Sequence, residues 1–295
     1  MNVAARSAAL LLSLALATVV RAVIVFGGDG TQNVADFATD DSRNRVGVVN
    51  GCAGVYLGSV GGADWVLTAN HVGAGSFTLD AVAYSAVSGS AVRLTNTDGS
   101  AADLILYRID SSLDWSVLSV SSSPLAIGSS VTMIGNGYNR ASAVTTWYVN
   151  DSAWSTTQSA GTEAVTGYYY GSGNILRWGT NTVSGASALL SYNNTVCETT
   201  TFNAIAGEAQ GAVGDSGGGV FGLNAGGEWT LSGIMLAIAG FSGQPSAAVV
   251  GNTTYFADLS AYRSQILTTI PEPAVAPVLL GLATLGAAVW LRRRR

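Results

Sequence analysis

The chain has 295 residues, 48% of them hydrophobic and only 11% charged, with a formal net charge of −5. A composition so rich in aliphatic residues and so poor in charge excludes an intrinsically disordered chain. No lysine occurs, and between residues 23 and 270 seven arginines face seventeen acids, an acidic balance without basic clusters that argues against a nucleic-acid-binding surface.

The first element is a leader. Arg6 precedes the apolar run Ala8–Val20, and Ala15-Leu16-Ala17 and Val20-Arg21-Ala22 both offer small-x-small cleavage sites. Residues 1–22 are read as a signal peptide cut after Ala22, because the run is short for a membrane span. From Val23 to Ile270 the pattern is mostly strands: short alternating or β-branched runs bounded by Gly, Ser, Asn and Asp. The clearest are 45–49, 55–60, 65–69, 103–109, 131–134, 145–149, 175–178 and 231–238. The stretch Ser121–Ser130 reads as a connector between two halves. Near the end Asp258 can cap a helix whose Leu259, Tyr262 and Ile266 share one face. The fold expected is all-β, a barrel or sandwich arrangement, as one unit of two packed halves.

Cys52 and Cys197 are the only cysteines. In an exported protein a pair tends to bridge; two buried thiols, packed as small hydrophobes, are the alternative. His and Cys ligands are too few to support a metal site, and no cofactor motif is present.

His71 is the only histidine. Imidazole proton transfer near neutral pH therefore has one candidate. Far downstream, Gly214-Asp215-Ser216-Gly217-Gly218-Gly219 presents a serine among glycines, a nucleophile only if a base reaches it. Chain order then discriminates among folds. An α/β-hydrolase places its histidine after the serine, and none follows Ser216. A subtilisin order is formally open through Asp29, Asp40, Asp41 or Asp64, but the residues around Ser216 do not suit it. The order His, Asp, Ser remains.

The motifs themselves resemble the trypsin-like serine proteases. Thr68-Ala69-Asn70-His71 resembles that family's histidine box, and Gly214–Gly218 is identical to its nucleophile box. Asp103-Leu104-Ile105-Leu106-Tyr107-Arg108-Ile109 resembles the strand that carries the acid, Met133–Gly137 the strand that opens the second barrel, and Tyr255–Ile266 the closing strand and helix. The resemblance implies two packed antiparallel β-barrels (about 23–125 and about 126–257) and a C-terminal helix, 258–269. It implies Ser216 as nucleophile, His71 as general base and then acid, Asp103 as the orienting carboxylate, and the N–H groups of Gly214 and Ser216 as the oxyanion hole. Asp114, which also precedes an apolar run, is the rival to Asp103.

The pattern also departs from the family. Val72 stands where many members have a disulfide cysteine. Gln210, six residues before Ser216, stands where an Asp selects Arg or Lys in some members. Leu236, Ala237 and Ile238 occupy the positions of the usual Ser-Trp-Gly of the cleft strand. Gln210, Leu236 and Ile238 are the expected pocket residues, with small or apolar side chains preferred before the scissile bond. Ile24-Val25-Phe26-Gly27-Gly28 resembles the family's activated amino terminus with Phe26 extra, and Asp215 is its implied partner.

The chain closes with Pro271-Glu272-Pro273, the apolar stretch Ala274–Leu291 and Arg292–Arg295. The stretch is long enough to cross a hydrocarbon core, with the arginines on the cytoplasmic side. This three-part tail, 271–295, resembles the PEP-CTERM sorting signal of Gram-negative bacteria, which an exosortase-type membrane enzyme processes. The resemblances together imply an exported serine endopeptidase of the cell envelope or exterior, transiently anchored in the inner membrane through a helix over 274–291, acting on protein or peptide substrates. A catalytically silent surface binding module and an esterase on the same scaffold are the competing functions.

Overall fold

A computed structural model describes residues 23–34, 42–111, 113–187 and 191–270. The expected signal peptide 1–22 and the sorting tail with its membrane helix 274–291 lie outside the described residues.

The first half is a seven-stranded antiparallel sheet. Its strands are Val46–Val49, Cys52–Val60, Ala63–Ala69, Phe77–Leu79, Val82–Ala86, Val92–Thr95 and Ala101–Asp110. Strand Ala63–Ala69 pairs with both Cys52–Val60 and Ala101–Asp110, which closes the sheet into a barrel. Closure explains why 102–107 of Ala101–Asp110 are buried or half-buried without alternation, which reappears only at the exposed Arg108 and Asp110. Ala102, Leu104 and Leu106 enter the large shared core, while Tyr107 and Ile109 belong to a second cluster with Val66 and Phe77. Both faces of the strand are covered, so the period-2 signal blurs.

The second half repeats the plan with strands Ser130–Gly135, Arg177–Gly185, Ser191–Tyr192, Thr195–Thr201, Gly219–Leu223, Trp229–Ala239 and Thr253–Asp258. Pairing of Arg177–Gly185 with Thr195–Thr201 closes this sheet in turn. A third sheet grows from the second half: Tyr138–Arg140, Thr145–Asn150, Ala153–Ser155 and the long Glu163–Asn174, to which Ala247–Val249 adds. The two halves share one core, in which Val55, Leu67 and Leu104 meet Ile134, Phe221 and Ile234.

The described residues close with a 3₁₀ turn, Leu259–Ala261, followed by the helix Arg263–Thr269. Asp258 caps the turn by accepting the Ser260 N–H at 2.9 Å, and Ile266 packs into the shared core. The N-terminal strand differs from expectation. Ile24–Val25 pairs with Ala209–Gln210 of the second half, so residues 23–25 do not join the first barrel. The cluster that buries Val23 and Val25 consists of second-half residues such as Met133 and Val220, and this apolar contact holds them there.

Candidate active site

His71 lies two residues past the end of Ala63–Ala69, in a turn where the N–H of Val72 returns to the Ala69 carbonyl at 3.1 Å. The register Ala69↔Leu104 brings Asp103 beside it. Asn70 N–H donates to the Asp103 carbonyl at 3.0 Å, His71 N–H donates to Asp103 Oδ1 at 2.8 Å, and His71 Nδ1 meets Asp103 Oδ2 at 2.7 Å. The imidazole is 42% exposed and the carboxylate 4%, so the ring reaches the cleft while its partner is shielded. Burial works to raise the Asp103 pKa. Hydrogen bonds from the His71 ring and main chain, the imidazole charge, and a bond from Asn193 outweigh it and hold the carboxyl below its ordinary range. Asp114 instead lies exposed, outside any strand or helix, with φ of +53°; the carboxylate at the imidazole is Asp103.

Ser216 sits in a loop that bonds to both halves. Its carbonyl accepts the Ala53 N–H at 3.0 Å, and the next N–H, of Gly217, donates to Met235 at 2.8 Å. Thr68 of the histidine box supports this crossing by donating to the Ala53 carbonyl at 2.7 Å. A Cβ on Gly217 would lie 2.0 Å from that carbonyl oxygen, and φ there is +85°; only glycine fits. Ser216 Oγ is turned onto the Leu236 carbonyl at 3.4 Å. Gly214 has φ of +97°, and among the described residues neither its N–H nor that of Ser216 has an acceptor. Two open donors therefore flank the hydroxyl, a pattern suited to receiving an anion.

Asp215 is buried beneath the loop. Oδ1 accepts the Gly137 N–H and Oδ2 the Ala212 N–H, both at 2.6 Å, and the Val23 N–H is a third donor. Burial outweighs these bonds and pushes its carboxyl up to about 7. The carboxylate also explains Gly135 and Gly137, where a Cβ would stand 2.2 Å and 2.7 Å from Asp215 atoms.

His71, Gly214, Ser216, Leu236 and Ile238 line one cleft of ≈ 380 Å³, together with Cys52, Tyr192 and Thr254. Leu236 and Ile238 thus sit in the wall as expected. Gln210 does not: it is fully buried behind Gly211, and neither polar atom of its amide has a partner among the described residues. The bridge considered between Cys52 and Cys197 does not form; both thiols are free. Cys52 opens onto the cleft. Cys197 is held inside the second barrel opposite Ala257, its thiol donating to the Thr195 carbonyl at 3.2 Å. Burial raises both thiols, Cys197 to about 12.

Several residues at the site carry no motif in the sequence. Asn136 donates to the carbonyls of Gly51 and Cys52 at 3.2 and 3.4 Å, and Asn174 donates to the Asn136 carbonyl at 2.8 Å beneath Gly214. Tyr192 and Asn193 reach the site from a distant hairpin.

The family model for Trypsin matches residues 39–260. Among solved structures, the chain is similar to an HtrA-type protease, AlgW, with decapeptide, at 18% identity and a TM-score of 0.43. That match covers 74% of this chain and 51% of the other, so the chain spans about half that protease's length. It is also similar to kallikrein-related peptidase 10 in a complex with Zn2+, at 15% identity and a TM-score of 0.45, covering 78% of this chain and 96% of that one. No curated protein matches the sequence. On the extent of the family match, the chain belongs to the trypsin family and carries a trypsin-like serine protease domain with two β-barrels.

Proposed function

We propose that the protein is an exported serine endopeptidase working through His71, Asp103 and Ser216. The observation that carries this reading is the 2.7 Å contact of His71 Nδ1 with the buried Asp103, in a cleft shared with Ser216. In this mechanism a rotation about the Ser216 Cα–Cβ bond frees Oγ from the Leu236 carbonyl to meet the imidazole in the cleft they share. His71 then accepts the hydroxyl proton as Oγ attacks the scissile carbonyl. Asp103 fixes the ring tautomer and stabilises the imidazolium. The open N–H groups of Gly214 and Ser216 receive the developing oxyanion, each accounting for about 10²–10³ in rate. The C–N bond breaks, His71 returns the proton to the leaving amine, and water releases the acyl group by the reverse sequence.

The cleft wall supports small or apolar side chains before the scissile bond. Leu236 and Ile238 line it beside Ala212, Val213 and Ala237, and the carboxylate of Asp215, which also borders it, is taken up by the N–H groups of Gly137 and Ala212 rather than turned toward a substrate side chain. A peptide library should yield cleavage after Ala, Val or Leu; efficient cleavage after Arg would contradict this.

Export rests on the leader and the sorting tail, with exosortase-type processing at Pro271–Pro273. Cleavage after Ala22 would make Val23 the new amino terminus. The N–H of Val23 already meets Asp215, which supports an ion pair there in the processed protein. Sequencing of the mature amino terminus tests this, and a terminus far from Val23 would rule it out.

The functional test is labelling of mature protein with a fluorophosphonate, beside casein and ester assays with Ser216→Ala as control. Ser216-dependent labelling and casein cleavage are expected. Absence of labelling would favour a silent binding module, and ester turnover without peptide turnover an esterase.

A further inference from the structure

Asp103 is held by more than the histidine. The strands Ser191–Tyr192 and Thr195–Thr201 pair Ser191 with Val196 and Tyr192 with Thr195, leaving a two-residue turn, Asn193-Asn194. Both turn residues are left-handed, with φ of 47° and 57°, the conformation that asparagine tolerates in such hairpins. This second-half turn reaches across to the first half. Thr195 Oγ1 accepts the Asp103 N–H at 2.7 Å. Asn96 Nδ2 donates to the Asn194 carbonyl. Tyr262 donates to Asn96 Oδ1 at 2.6 Å and accepts the Val196 N–H at 2.9 Å. So fixed, the turn points the Asn193 amide at Asp103 Oδ2, at 3.4 Å, while the adjacent Tyr192 lines the cleft beside His71.

We propose that Asn193 is a positioning residue for Asp103, and that the hairpin tip couples this carboxylate to the cleft wall through Tyr192. The inference rests on the triad reading above. Among the described residues, the imidazole and this amide are the only side chains that bond the Asp103 carboxylate. Leu236, whose carbonyl takes Ser216 Oγ in the same cleft, has no polar side-chain atom to contribute. The 3.4 Å contact is looser than the 2.7 Å contact to the ring. Asn193 therefore limits the rotation of the carboxylate rather than competing for its charge. Cys197, whose thiol feels the charge of Asp103, stays neutral because burial lifts it to about 12, and the imidazole in direct contact with the carboxylate is the group that responds.

Turn chemistry alone also selects asparagine, and the variants separate the two roles. Asn193→Gly keeps a left-handed turn and deletes the amide. It should lower kcat about tenfold with KM within about twofold, and leave the melting temperature near that of the parent. Losing a donor concentrates negative charge on Oδ2 and favours the imidazolium. The acid limb of the pH–kcat/KM profile should then move up by about half a pH unit. Asn193→Asp adds a carboxylate and should move it up further. Because His71 is the only histidine, its ring resonances give the same midpoint by NMR without any need for turnover. If both variants keep the parental midpoint and kcat, Asn193 is a turn residue only and the proposal falls. If Ser216 fails to label but the midpoint moves as stated, the positioning stands and the proteolytic reading falls instead.

Discussion

At the residue scale, the site depends on a carboxylate that is buried only because it is bonded. Asp103 takes two hydrogen bonds from His71, one from main chain and one from the ring. Replacing it by Asn keeps the shape but lets the amide select the wrong imidazole tautomer. Asp103→Asn should therefore lower kcat by about 10⁴, while Asp114→Asn, at an exposed position, should leave it within about twofold. Steady-state kinetics on the two variants decide between them, and loss through Asp114 would overturn the assignment. His71→Ala should remove general-base catalysis altogether, since no second imidazole exists to substitute. The boxes around His71 and Ser216 were legible in the sequence because local chemistry demands them. Thr68 needs its hydroxyl for the Ala53 carbonyl, and Gly217 needs its missing Cβ. Asn136, Asn174 and Asn193 were not legible, because each acts on a main-chain or carboxylate oxygen brought near it only by folding.

At the element scale, the nucleophile loop is fixed by two different glycine requirements, and they predict different failures. Gly217 has backbone oxygen 2.0 Å from where a Cβ would stand. Gly217→Ala must displace the contact between the two barrels and should cost about 3 kcal/mol or more of stability. Gly214 has more room, its nearest neighbours being Asn174 and Gly137 atoms at 3.0 Å, but its φ is +97°. Gly214→Ala should therefore cost only about 1–2 kcal/mol while turning its open N–H away from the cleft, with kcat falling about 10²-fold. Urea melts and kinetics on the pair would show stability lost most in one and turnover most in the other; parallel losses would contradict this account. Strands were read well where β-branched residues alternate, as in Val131–Ile134 within Ser130–Gly135. They were missed in Glu163–Asn174, whose Gly-Tyr-Tyr-Tyr-Gly-Ser-Gly run is held by pairing with three other strands rather than by its own propensity.

At the scale of the whole molecule, a second buried carboxyl sets a pH dependence. Glu198 lies fully inside the second barrel, with Oε1 on the Leu125 N–H at 2.7 Å and Oε2 without a partner among the described residues. Burial, aided by the charge of Asp258, raises its pKa from 4.5 to about 7. A folded-state pKa above the unfolded one means the folded protein binds more protons between these values. The stabilisation is fully present below pH 4.5 and is lost as pH rises through about 7, by an amount up to about 3 kcal/mol. Urea midpoints should therefore fall between pH 5 and pH 8, and Glu198→Gln should flatten the fall; a slope unchanged in that variant would refute the assignment. Asp215 contributes in the same direction while it lacks a cationic partner, and an ammonium at Val23 would remove its share by holding the carboxylate ionised.

The sequence by itself determined the fold class, the order His, Asp, Ser and the two boxes, because hydrophobic alternation and glycine-bound motifs are local chemistry. The leader and the three-part tail are expectations from the sequence, and both lie outside the described residues. The resemblance of its strand already pointed to Asp103; tertiary structure alone decided that Ile24–Val25 crosses to the second half, that Gln210 stays behind the cleft wall, and that the two cysteines remain apart. It also decided that a turn nearly a hundred residues from Asp103 supplies the amide at its carboxylate. These are contacts between distant segments, and their geometry follows from barrel closure and strand register, which no local pattern encodes.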